Sequence, residues 1–171
     1  MSQDPHKPPF LIRPMTLKDV ERVYEIDKDS FSLPWTLRAY QYEVRENINA
    51  RNWVLEHETD GVVGFIVVWH ILDDAHIGTV AIDKFCRGRG LGKLLTAYAL
   101  LQSVEEGMTL SYLEVRRSNI TAQKTYESLG FEVVGVRAGY YKNNHEDALL
   151  MTLDPIDADI LRRIIAEQIH P

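Results

Sequence analysis

The chain is poor in the residues that build covalent or metal scaffolds. One cysteine, Cys86, among 171 residues allows no internal disulfide and no thiolate cluster. The six histidines show no ligand spacing, so no metal is expected. No apolar run approaches the ~18 residues that span a bilayer, so no membrane partner is expected. Met1 to Pro9 is polar and proline-rich and carries no hydrophobic secretion signal, which makes the cytoplasm the expected location. A basic excess is missing too: 19 Lys and Arg stand against 25 Asp and Glu, a formal charge of −6. That balance argues against nucleic acid and favours basic or peptide partners. Internal repeats and low-complexity stretches are absent.

What remains fits one soluble globular domain, with 45% apolar and 26% charged residues. Residues 1–9 read as a loose tail, 10–153 as the domain and 154–171 as an appended helix. A short first strand, Leu11 to Pro14, leads into Thr16-Leu17-Lys18-Asp19, a capping-box spacing ahead of a helix carrying Val20, Val23, Tyr24 and Ile26. Pro34 breaks the helical pattern, and Thr36 is placed to cap a second helix through Val44. Asp60-Gly61 between Trp53–Glu58 and Val62–Ile71 is a hairpin signal. Ala75–Ile82 forms the next strand. A long helix runs from Leu91 to Glu106 and stops at Gly107, then a strand over Leu110–Val115. A helix over Asn119–Leu129 ends at Gly130. Phe131–Val136 and Ala148–Leu153 complete a mixed sheet of α/β (α+β) type. The last stretch puts Ile156, Ile160, Leu161, Ile164, Ile165 and Ile169 on one helical face, expected to pack on the domain. A weak homodimer contact is the other reading of that face.

The densest signal is Arg87-Gly88-Arg89-Gly90-Leu91-Gly92, set between a strand and a helix. Glycines let the backbone turn with positive φ and approach a ligand closely. The unpaired N–H groups and dipole of the helix N-terminus then converge on one point, an anion site suited to pyrophosphate. The spacing fits neither G-x-G-x-x-G nor a Gly-Lys-Ser/Thr phosphate loop.

It does fit Arg/Gln-x-x-Gly-x-Gly, with Arg87, Gly90 and Gly92 in register. This resembles the acyl-CoA pyrophosphate loop of the GCN5-related N-acetyltransferases (GNAT). Leu113 to Asn119, Ala122, Tyr126 to Phe131, Gly139-Tyr140-Tyr141, Glu146-Asp147-Ala148 and Phe31 with Pro34-Trp35 resemble the RimI-type branch and its archaeal relatives. The likeness spans roughly Leu11 to Leu153. It implies a GNAT fold with a mostly antiparallel seven-stranded sheet and acetyl-CoA as cosubstrate. It also implies acetyl transfer to the N-terminal α-amine of proteins or peptides by direct attack in a ternary complex, ribosomal proteins being among the targets of that branch.

For the cofactor, the resemblance implies contacts from Val80, Ala81 and Ile82, the turn Arg87, Gly88, Arg89, Gly90, Leu91, Gly92 and Lys93, and Asn119, Ala122 and Tyr126. A splayed strand pair would let the pantetheine arm lie beside Thr79–Ile82. The segment Ile82-Asp83-Lys84-Phe85-Cys86 departs from the family's Val-x-Pro-x-Tyr, leaving the loop's approach angle open. Acetyl transfer to an amine needs a proton acceptor and a donor for the leaving thiolate. Tyr126 suits the donor, a phenol of reference pKa ~10. Glu114 and His76 are rival acceptors, and Glu114 could equally pair with Arg116 or another cation. Phe31, Pro34, Trp35, Tyr140 and Tyr141 match segments that flank the peptide entrance. Two other functions fit the same sequence: an enzyme of this fold acting on a lysine or small-molecule amine, and a CoA-binding module without catalysis.

Overall fold

The computed structural model describes residues 10–169; the expectation of a loose tail over residues 1–9 lies outside it, as does the side chain of Ile169. The elements run β1 (Phe10–Pro14), α1 (Val20–Ser30), α2 (Leu37–Arg45), β2 (Ala50–His57), β3 (Gly61–Ile71), β4 (Asp74–Ile82) and α3 (Leu91–Glu105). They continue with β5 (Leu110–Arg116), α4 (Ile120–Glu127), β6 (Glu132–Tyr141), β7 (Glu146–Leu153) and α5 (Ala158–Ile169). The seven strands form one sheet in the order β1-β2-β3-β4-β5-β7-β6. All neighbours are antiparallel except β4 and β5, which run parallel through the α3 crossover. This is the mixed, mostly antiparallel sheet expected from the sequence.

Two apolar layers cover the central strands. Ile66 and Val68 face α3, while Phe65 and Val67 face α1 and α2, so β3 is buried on both sides and reads as an unbroken apolar run. The α3 layer gathers Leu91, Leu94, Leu95 and Leu100, each at most 5% exposed. Helix α5 packs on α3 through buried Leu161 and Ile164, whereas Ile160, expected on the same face, is largely exposed. Its start is capped by Asp157, whose Oδ1 accepts from the backbone N–H of Asp159 and Ile160.

A side-chain cap also fixes the start of α2. Thr36 accepts from the Ala39 N–H, as its position ahead of α2 predicts. At α1 the arrangement is reversed. The Thr16 hydroxyl does not cap the helix; it and the Thr16 N–H both donate to Asp19 Oδ2. Arg13 grips the same carboxylate with both terminal nitrogens at 2.8 Å, which a threonine hydroxyl cannot outcompete for charge.

The feature that positions a site is a break in pairing. β4 and β5 are in register only from Asp74↔Leu110 to Ile77↔Leu113. At the same level the β3–β4 register shifts, with Val67 opposite Thr79 and Val68 opposite Ile77, leaving Gly78 as a bulge. A bulge adds local twist and bends its strand. Beyond it, residues 78–82 of β4 swing away from 114–116 of β5 and leave the β5-facing backbone groups of that segment without a strand partner.

Arg13 and its hydrogen bonds hold the Asp19 carboxyl down at about 2. The unfolded value is higher, ~3.9. The stabilisation is therefore complete above about pH 4 and is lost as pH falls through the folded value. After screening by solvent, about 1–2 kcal/mol is expected. Urea denaturation at a series of acidic pH values should show this loss, and Asp19→Asn should flatten it.

Candidate active site

Two clefts open where β4 and β5 diverge. The first, about 540 Å³, lies between the end of β4, the 86–93 turn and one face of α4. The second, about 440 Å³, lies between the α1–α2 loop, Ile77–Val80, Leu113–Arg116 and Tyr141. Ser30, Phe31, Val80, Asn119, Ala122 and Tyr126 line both, so the two meet at Tyr126.

The turn entering α3 is built on positive φ: +75° at Gly88 and +74° at Gly90, which is also the N-cap. A Cβ at Gly90 would collide with the Gln168 side chain of α5, not with anything in the cleft; at Gly88 it would meet open space. The two glycines are therefore required by backbone conformation. Arg87 braces the turn, its Nε donating to the Ile82 carbonyl at 2.9 Å and a terminal nitrogen to Ser30 Oγ at 2.8 Å. Asp83 supplies what the absent proline would have given. Its N–H donates to Val63 O, its carboxylate accepts from Phe85 N–H and pairs with Arg22, and Cys86 N–H closes the turn onto its carbonyl. Cys86 itself is buried in the α3-side core. Of the predicted cofactor residues only Arg89 lies outside the lining; it is exposed. Asn119 lines the cleft and also caps α4, accepting from Ala122 N–H.

In the second cleft Glu114 is 8% exposed and held on both oxygens. His76 Nε2 lies 2.9 Å from Oε2, and an Arg137 nitrogen lies 2.8 Å from Oε1. The rival proton acceptors thus form one hydrogen-bonded unit in which Glu114 faces the cleft and His76 stands behind it. The cation facing Glu114 is Arg137, not Arg116. The hydrogen bond to His76, more than the cations, holds the Glu114 carboxyl below the usual range, against desolvation. Tyr126 is buried, and that burial pushes its phenol up, keeping the proton on Oη.

Phe31, Trp35 and Tyr141 line the second cleft; Pro34 and Tyr140 do not. Tyr140 instead meets Tyr141 edge-on at 5.2 Å and carries Arg137 over its ring at 5.8 Å. Sequence reasoning missed Arg116. Its guanidinium lies 3.7 Å above the Tyr141 ring and pairs with Glu146 at 3.0 Å. It also donates to Ser32 and Asn143, while Asn143 donates to Ser32 at 2.9 Å. These bonds join the α1–α2 loop to the β6–β7 turn across the cleft. Only its place at the end of a strand beside the 117–119 turn hinted at such a role.

The sequence profile of the acetyltransferase (GNAT) family matches residues 20–131. The chain belongs to the GNAT acetyltransferase family. A Bacillus subtilis protein provisionally named [ribosomal protein bS18]-alanine N-acetyltransferase is 39% identical over 82% of this chain and 92% of its own length. The solved ribosomal-protein-S18-alanine N-acetyltransferase of Escherichia coli superposes with a TM-score of 0.78 at 29% identity, covering 86% of this chain and 94% of that one. Ard1 from Thermoplasma volcanium gives 0.79 at 28% identity, over 87% and 99%. In this GNAT sheet the glycine turn, the α3 N-terminus and the unpaired β4 edge set backbone N–H groups along one cleft, a donor set that fits an acyl-CoA. Among the described residues no group of three or more His, Cys, Asp or Glu is placed to hold a metal.

Because a Cβ at positive φ costs ~1–2 kcal/mol, Gly90→Val should weaken CoA binding about tenfold or more, measured by isothermal titration. Unchanged affinity would remove the turn from the binding site.

Proposed function

We propose that this protein is an acetyl-CoA-dependent N-acetyltransferase acting on the N-terminal α-amine of proteins or peptides. The observation that carries this reading is the meeting of the two clefts at Tyr126, with a clamped carboxylate, Glu114, on the far wall. The first cleft takes the cofactor, whose thioester supplies the acetyl group. The β5-facing backbone N–H groups of residues 78–82, without a partner on β5, are available to polarise a carbonyl laid alongside them. The α3 N-terminus, with Gly88, Gly90 and Gly92, receives the diphosphate, and Lys93 adds charge.

Glu114 receives the proton of the attacking amine, while His76 and Arg137 orient its carboxylate. A carboxylate with a lowered pKa is a weak base, and for an α-amine this is enough. With a pKa of ~7.7–8.0, roughly a quarter of α-amines are neutral at pH 7.4, against about one lysine in a thousand at ~10.4. The electrostatics therefore favour an α-amine over a lysine. Tyr126 keeps its proton at Oη and donates it toward the leaving sulfur. Phe31, Trp35 and Tyr141 form the walls that hold an extended chain end. The names of the relatives point to a ribosomal protein as the substrate. The absence of a long apolar helix among the described residues and that kind of substrate agree with work in the cytoplasm.

Short peptides that differ only in a free or blocked N-terminus test the reading. The free peptide should gain one acetyl group by mass spectrometry and the blocked one none. Tyr126→Phe should lower kcat by about 10²- to 10⁴-fold, the range for one acid–base group, with CoA affinity within about twofold of wild type. Unchanged turnover would take Tyr126 out of the reaction.

A further inference from the structure

The α1–α2 loop and the β6–β7 turn are joined by one side chain of β5. Arg116 lies two residues beyond Glu114 and on the same face, since side chains alternate along a strand. Both line the substrate cleft. The flat face of the Arg116 guanidinium lies 3.7 Å above the Tyr141 ring, and its edge is occupied by three partners. One terminal nitrogen donates to Glu146 Oε2 at 3.0 Å. The other donates to Asn143 Oδ1 at 3.1 Å and to Ser32 Oγ at 3.3 Å. Asn143 Nδ2 completes a triangle by donating to Ser32 Oγ at 2.9 Å. Glu146 is itself fixed, because its other oxygen accepts from the Ser118 N–H at 2.8 Å.

This arrangement needs an arginine. A planar fork stacks on a ring and donates sideways to two segments at once, which a lysine ammonium cannot do. Ser32 and Asn143 are exposed, so their hydrogen bonds compete with water and add little to the stability of the fold. What they fix is a distance. On one side stands the α1–α2 loop, which brings Phe31 and Trp35 to the cleft; on the other stands the β6–β7 turn, which follows Tyr141. A chain end held between two untied loops would have to order them as it binds, and that entropy cost weakens affinity. A tie already made in the free protein removes the cost. Because Glu114 and Arg116 project from one strand, the proton acceptor and the width of the cleft share a single frame.

We propose that Arg116 is a positioning residue for the incoming peptide: acting through Ser32 and Asn143, it holds the α1–α2 loop and the β6–β7 turn at the spacing of one extended chain. The inference rests on the reading of this cleft as the peptide site. Steady-state kinetics with a peptide bearing a free N-terminus test it on wild type, Arg116→Lys, the double variant Ser32→Ala with Asn143→Ala, and Ser32→Thr. In Arg116→Lys and the double variant the peptide KM should rise about tenfold or more, while kcat falls less than about threefold and the KM for acetyl-CoA stays within about twofold. Ser32→Thr keeps the hydroxyl and should stay within about twofold of wild type throughout. A general loosening of the fold would lower kcat and raise both KM values together, and that outcome overturns the proposal. So does a peptide KM within about twofold of wild type in the double variant, which leaves Arg116, Glu146 and Tyr141 in place should Arg116→Lys fail to fold. A wild type that ignores free N-termini but acetylates a blocked lysine peptide overturns the α-amine reading instead, and the same variants assayed on that peptide then decide the role of Arg116.

Discussion

The site exists because β4 and β5 stop pairing. After Ile77↔Leu113 the two parallel strands diverge, at the level where Gly78 bulges out of the β3–β4 ladder. A sheet that stayed closed would satisfy its backbone groups internally and present no edge in its middle. Here the unmatched edge of residues 78–82 lies at the bottom of a cleft, and the α3 N-terminus stands at its far end. Both supply N–H donors in fixed orientation. A donor set made of main chain follows from that one defect.

Rigidity around the defect comes from paired polar groups and stacked rings. Glu114 is held between His76 and Arg137, His76 lies flat on Tyr112 at 4.2 Å, and Trp69 closes the column against Trp35. On the opposite wall Arg116 ties Tyr141, Glu146, Asn143 and Ser32 into one strap. Buried or half-buried charges of this kind add little net stability, since desolvation offsets attraction. What they add is a single geometry for the carboxylate and the ring walls, which a reaction needing sub-ångström placement requires.

Much of the fold was legible in the chain. Thr36, Asn119, Gly107 and Gly130 mark helix ends by local chemistry, and Asp60-Gly61 marks a hairpin, because caps and turns are decided within a few residues. The glycine turn was legible for the same reason. Thr16 was half legible: Asp19 accepts from the Thr16 N–H as the capping-box spacing implies, but the Thr16 hydroxyl also donates to that carboxylate, which Arg13 holds too, instead of capping the helix. Site walls were less legible. Glu114 and His76 read as rivals although they touch, and Arg116, inside a family-like segment, read only as a possible partner of Glu114.

The sequence by itself therefore determined the order of elements, the glycine turn ahead of α3 and the aromatic and acidic residues available for chemistry. Each of these depends on neighbours a few positions away. Tertiary structure alone decided which carboxylate faces the cleft and which histidine and arginine hold it. Those choices join residues tens of positions apart on different strands, and register and strand divergence, not local propensity, bring them together.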